Sequence, residues 1–141
     1  MKKKLAIGTD HRGFFTKQKL VANTSFSWID YGTFDENRTD FPLFVTPVVN
    51  AVLTGAADGG VLLCGTGVGM SIAANRHKGI YAALVWSVTI ARLAKEHDNA
   101  NILVLPADYM SHEDIIASIV AWSEAEFSNG RYQERLKMID Q

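Results

Sequence analysis

The chain has 141 residues, 48% of them hydrophobic, and sets 14 Lys and Arg against 15 Asp and Glu for a formal net charge of -1. This size and apolar content suit one compact domain with a substantial core, and the even scatter of charge leaves no basic stripe for a nucleic acid. Lys2, Lys3 and Lys4 precede only Leu5-Ala6-Ile7, too short for a signal peptide, the longest uncharged apolar run (Ile80 to Trp86) is far below the roughly 20 residues of a membrane span, and the single cysteine points to a reducing, cytoplasmic setting.

Along the chain, apolar strand candidates alternate with helical patterns. The first strand is Leu5 to Thr9, followed by Asp10-His11, which suits an Asx-capped turn into a helix. The second is Phe26 to Tyr31. Phe41, Phe44, Val45, Val48, Val49, Val52 and Leu53 then recur at helical spacing, with Thr46, Asn50 and Thr54 on the other face. Pro42 suits the first turn of that helix, whereas Pro47 falls inside the pattern and should kink it or shift its start. The third strand, Gly60 to Cys64, lacks polar alternation and reads as covered on both faces. It feeds a glycine-rich loop and a helix through Met70 to Ala74. The fourth strand is Ile80 to Val85, with a helix over Ser87 to His97, and the fifth is Ile102 to Leu105. Ser111, with Asp114 three residues on, opens a helix whose apolar face is Ile115, Ile116, Ile119, Val120 and Trp122. A last helix, Arg131 to Ile139, follows the Asn129-Gly130 break and pairs Tyr132, Leu136 and Ile139. Five strands separated by helices predict an α/β fold with a doubly wound parallel sheet, in which ligands collect beyond the carboxyl ends of the strands.

The stretch Cys64-Gly65-Thr66-Gly67-Val68-Gly69-Met70-Ser71 carries the clearest chemical signal. Its glycines allow a ligand to approach the backbone, and the helix that follows offers unpaired N–H groups and a positive dipole end to an anion. Cys64, at the end of the strand, faces a field that favours its thiolate. The dinucleotide fingerprint fails here, because Met70 and Ile72 stand where its third glycine or alanine belongs; the nucleoside-triphosphatase loop fails for want of a lysine between Gly59 and Arg76. The loop suits one small anion, or an oxyanion that develops during reaction. Arg131 and Arg135, four apart, share one helix face and can clamp a phosphate together. His97 falls at a helix end that ordinarily lies on the opposite edge of the sheet. No His and carboxylate pair has metal-ligand spacing, so no metal is expected.

Taken together, Gly8-Thr9-Asp10-His11-Arg12-Gly13, Asp30-Tyr31-Gly32-Thr33, Arg38-Thr39-Asp40-Phe41-Pro42, Asp58 to Asn75 and Gly130 to Arg135 resemble the ribose-5-phosphate isomerase B family and the related galactose-6-phosphate isomerase subunits. The blocks occur in order over essentially the whole chain. The resemblance implies a Rossmann-like subunit with helices on both sheet faces, working as a homodimer or a pair of dimers, with the C-terminal helix reaching the partner. It implies aldose–ketose isomerisation without metal or organic cofactor, ribose 5-phosphate being the leading substrate. Cys64 is then the base, Thr66 and the backbone of Gly65 to Ser71 hold the enediolate oxygen, and His97 assists ring opening. Asp10 meets the sugar hydroxyls, Asp98 lies beside them, and His11, Arg131 and Arg135 hold the phosphate, the arginines arriving from the partner. Three positions depart from the family pattern: Phe41 stands for the usual tyrosine, Asp98 for asparagine and Asp108 often for arginine. They keep open isomerases of allose 6-phosphate, galactose 6-phosphate or a tetrulose phosphate, and a non-catalytic sugar-phosphate-binding protein. Trp122, Phe127, Tyr132 and Leu136 offer apolar surface for dimerisation.

Overall fold

The computed structural model describes residues 1–140. Five parallel strands, β1 (Lys4–Thr9), β2 (Ser27–Asp30), β3 (Gly59–Cys64), β4 (Ala82–Leu84) and β5 (Ile102–Pro106), lie in the order β2-β1-β3-β5-β4. The α-helices between and after them are α1 (Phe14–Val21), α2 (Val45–Leu53), α3 (Val68–Asn75), α4 (Val88–Asp98), α5 (His112–Glu124) and α6 (Arg131–Ile139). Because successive strand side chains point to opposite faces, the central strands divide their residues between two apolar layers. Leu5, Ile7, Val61, Leu63, Leu103 and Leu105 pack with residues of α1, α4 and α5. Ala6, Leu62, Cys64, Ile102 and Val104 pack with α2 and α3. Cys64 is thereby turned to the α3 side.

The paired glycines opening β3 are packing devices. A Cβ on Gly59 would stand 2.8 Å from the Trp122 ring, and one on Gly60 would stand 2.8 Å from Val48 Cγ1. Larger residues would lift α5 and α2 off opposite faces of the strand. Pro47 shifts the start of its helix and does not kink it. Phe41–Phe44 forms a separate 3-10 turn, and Pro47 becomes the third residue of α2, where a missing N–H costs no helical bond. The fourth strand is shorter than its apolar run because the Tyr81 amide donates to the Asn101 side chain, 2.9 Å away, before the ladder with β5 begins. Leu53 and Ile139 lie exposed at the ends of α2 and α6, so the apolar stripe of each stops short of its last hydrophobic residue. Ser111 caps α5 as the sequence suggests, accepting from the Asp114 amide, and Ser87, expected as the first residue of its helix, is instead the cap of α4, accepting from the Ile90 amide.

One buried group escapes pattern reading altogether. Lys17 is fully buried, its Nζ 2.6 Å from Asp30 Oδ2 and 4.8 Å from the centre of the Phe34 ring. This pair ties α1 to the end of β2. Lys17→Ala strands the Asp30 carboxylate at a half-covered site, and the expected loss of stability is at least about 2 kcal/mol. An unchanged denaturant midpoint would count against it.

Candidate active site

The chain leaves β1 toward one side of the sheet and β3 toward the other, so their carboxyl ends border the crevice where ligands of such sheets bind. Cys64 closes β3 and is largely buried, and its Sγ accepts a hydrogen bond from the Gly67 amide at 3.1 Å. Gly67 makes this possible with a left-handed backbone (φ 78°) packed against Leu84, whose Cδ1 would clash with an added Cβ. No other residue fits both conditions. α3 starts at Val68, and its first amides have no helical partners. The Val68 amide donates to Thr66 Oγ1 at 3.2 Å, which leaves the Thr66 hydroxyl hydrogen free to serve as a donor. Gly69 and Met70 present further N–H groups at the same helix end. The Met70 side chain is buried beneath the loop, so only its backbone is available to a ligand. Negative charge here, on sulfur or on a ligand oxygen, meets a row of N–H donors and a positive helix end.

The other predicted residues of this edge join it. Asp10 is buried at the end of β1, its Oδ1 accepting from the Arg12 amide at 2.9 Å, which is the expected Asx cap. The Thr39 amide donates to His11 Nδ1 at 3.3 Å, so the neutral ring carries its proton on Nε2 as a donor. Phe41 seats its ring on Gly69, close enough that an added Cβ would stand 2.7 Å from Cζ. Asp10, Phe41, Cys64, Thr66 and Asp108 line a cleft of about 330 Å³. Sequence reading missed Arg12 as a member: it also lines the cleft, and its guanidinium is ion-paired with Asp108 across the mouth. The pair joins residues 96 positions apart, beyond the reach of local pattern.

The remaining predicted residues gather elsewhere. α4 runs back from the carboxyl end of β4 to the start of β5, which carries His97 and Asp98 to the opposite edge of the sheet. There His97 stacks on Tyr132 of α6, ring centres 4.5 Å apart and planes within 4°. Arg131 and Arg135 flank the same ring, with guanidinium carbons 5.2 and 5.4 Å from its centre. Asp98 lines a larger cavity of about 580 Å³ with Asn75, Tyr81, Leu136 and Asp140, which contains nothing of the glycine loop. Size does not mark the chemistry here; the donor array around Cys64 does. Two residues expected to serve dimerisation are spent internally. Trp122 is buried, with its indole N–H on the Ala100 carbonyl at 2.8 Å, and Leu136 is buried as α6 packs on α4. Among the described residues no group of three or more His, Cys, Asp or Glu side chains has the arrangement of a metal site, and no helix is long and apolar enough to cross a membrane.

A parallel α/β sheet whose switch-point crevice carries a cysteine, a hydroxyl and a row of amide donors defines the class of α/β proteins with a donor-rich small-molecule cleft at the carboxyl ends of the strands. The profile of the Ribose/Galactose Isomerase family matches residues 5–139, and the chain belongs to that family as a sugar-phosphate isomerase. It is 39% identical over 140 residues to ribose-5-phosphate isomerase B of Escherichia coli, covering 97% of this chain and 94% of that one. Galactose-6-phosphate isomerase subunit LacB of Clostridium acetobutylicum is 40% identical over 141 residues, 97% of this chain and 82% of that one. The crystal structure of a ribose 5-phosphate isomerase from Thermotoga maritima superposes with a TM-score of 0.95 at 40% identity, covering 99% of both chains.

Proposed function

We propose that this isomerase interconverts ribose 5-phosphate and ribulose 5-phosphate, with Cys64 as the base. The observation that carries this reading is the sulfur at the end of β3, hydrogen-bonded by the Gly67 amide and set beside the Thr66 hydroxyl. As a thiolate, Cys64 takes the proton from C2 of the open-chain aldose, and the electron pair of that C–H bond forms the C1–C2 double bond of an enediolate. The aldehyde oxygen gathers the negative charge, met by the Thr66 hydroxyl and the uncommitted amides of the loop and of Gly69 and Met70, whereas the Ser71 amide, expected to join them, is spent on the Gly67 carbonyl at 3.0 Å. The thiol then returns the proton to C1, the C2 hydroxyl passes its own proton to the C1 oxygen as the C2 carbonyl forms, and the ketose results. No net electron is gained or lost. Asp10 holds the sugar hydroxyls and His11, through its Nε2–H, meets the phosphate.

His97, Arg131 and Arg135 lie too far around the subunit to join this cleft from within, yet they form one compact, cationic, aromatic group. We read the protein as a dimer in which the partner's His97 opens the sugar ring and the partner's Arg131 and Arg135 take the phosphate. Similar identity to ribose-type and galactose-type relatives makes the sugar the open variable. Turnover of ribose 5-phosphate, allose 6-phosphate, galactose 6-phosphate and tetrulose phosphates, measured side by side, is expected to favour the first. Faster turnover of another sugar corrects the substrate, and inactivity on all of them overturns the catalytic reading in favour of a binding protein.

A further inference from the structure

The geometry points to Arg12 as a phosphate-binding residue supplied by the same subunit as Cys64, with Asp108 setting how tightly it holds; this rests on the sugar-phosphate reading above. Among the described residues that line the Cys64 cleft, Arg12 is the only Lys or Arg, and it shares the space with two carboxylates, Asp10 and Asp108. Asp10 accepts the backbone amide of Arg12, which pins the base of that side chain to the end of β1. Asp108 is pinned from the other wall: the Ala107 amide donates to the Cys64 carbonyl at 2.9 Å and the Asp108 amide to the Gly65 carbonyl at 3.1 Å. Its carboxylate consequently lies over Gly65, where an added Cβ would meet Oδ2 at 2.7 Å.

The guanidinium reaches across to this carboxylate through Nη2 alone. A guanidinium carries five N–H donors in a planar fork, so most of its donors remain uncommitted. With side chains 58% and 30% exposed, the pair contributes little to stability. Its location explains it better: it spans the mouth of a cleft that otherwise offers a dianion no arginine or lysine of its own subunit. A phosphate entering there can take the free face of the fork while Asp108 holds the other side. By cancelling part of the charge, Asp108 keeps a tightly bound phosphate from becoming an unreleased product.

Inorganic phosphate is the probe, titrated by phosphorus NMR and as a competitive inhibitor, alongside KM and kcat on whichever sugar phosphate the protein turns over. Arg12→Ala is expected to weaken phosphate binding and raise KM by roughly 10-fold or more, with kcat changed far less. Arg12→Lys should recover part of the loss, and Arg12→Gln, which keeps the stem, should repeat it. Asp108→Asn is expected to tighten phosphate binding several-fold. Phosphate affinity and KM unchanged in both Arg12→Ala and Arg12→Gln would overturn the assignment of Arg12; phosphate binding unchanged or weaker in Asp108→Asn would overturn that of Asp108. Because phosphate binding is read without turnover, the failures separate. A protein that turns over no sugar phosphate yet loses phosphate binding in Arg12→Ala defeats the isomerase reading and leaves this one standing.

Discussion

Cys64→Ala is expected to cost 100- to 10,000-fold or more in kcat, the range a positioned acid–base group typically supplies, while the protein stays folded and still binds sugar phosphate. The separation follows from where the sulfur sits. Cys64 is buried at the last position of β3, on the face covered by α2 and α3, and alanine keeps its backbone bond to the Ala107 amide. What alanine removes is the atom facing the Gly67 amide. The glycine loop, with its left-handed Gly67 and the unpaired amides at the start of α3, is left intact. Two measurements check this: steady-state turnover, and exchange of the substrate C2 hydrogen with deuterated water, which should vanish with the base even where binding persists. Activity within about 10-fold of wild type would show that another group moves the proton.

The second large effect concerns the edge carrying His97, Arg131 and Arg135. Cys64→Ala and the double variant Arg131→Ala/Arg135→Ala should each be inactive, the first for want of a base and the second for want of the phosphate clamp. Unfolded together and refolded, they should recover about a quarter of wild-type activity, because half the dimers are then mixed and each mixed dimer holds one undamaged site. The arithmetic works only if the site takes its base from one subunit and its arginines from the other. If every site were complete within a subunit, a mixed dimer would contain two defective sites and no activity would return. The placement of the groups favours recovery. α4 must run back across the sheet to reach β5, so His97 cannot share the edge of Cys64 in its own chain. Its stacking on Tyr132 and the arginines around that ring gather the three side chains into one group on that opposite edge. Sedimentation of the wild-type protein should accordingly report a dimer or larger species, and a monomer with full activity would refute the shared site.

Much of this arrangement is encoded locally. The alternation of apolar strands and helices, the serine caps of α4 and α5, the Asx turn after β1 and the glycine loop after β3 all depend on residues within a few positions of one another. Backbone propensity and side-chain period act over that range, so the sequence alone determines the strand and helix types, the glycine-led start of α3 and the position of Cys64 at a strand end. It also identifies the family, because those local signals occur in a characteristic order.

Tertiary structure decided which distant groups meet. The burial of Lys17 on Asp30, the seating of Phe41 on Gly69 and the bridge from Arg12 to Asp108 all follow from the strand order β2-β1-β3-β5-β4, which brings the ends of β1, β3 and β5 side by side. The same order turned Trp122 and Leu136 inward, where a reading by hydrophobicity had placed them on a surface for a partner. Apolar character states that a side chain will be covered and leaves the covering surface unspecified. Charge behaves likewise: a lysine or an arginine in sequence is one cation among many until the fold sets one carboxylate beside it and removes the water between them.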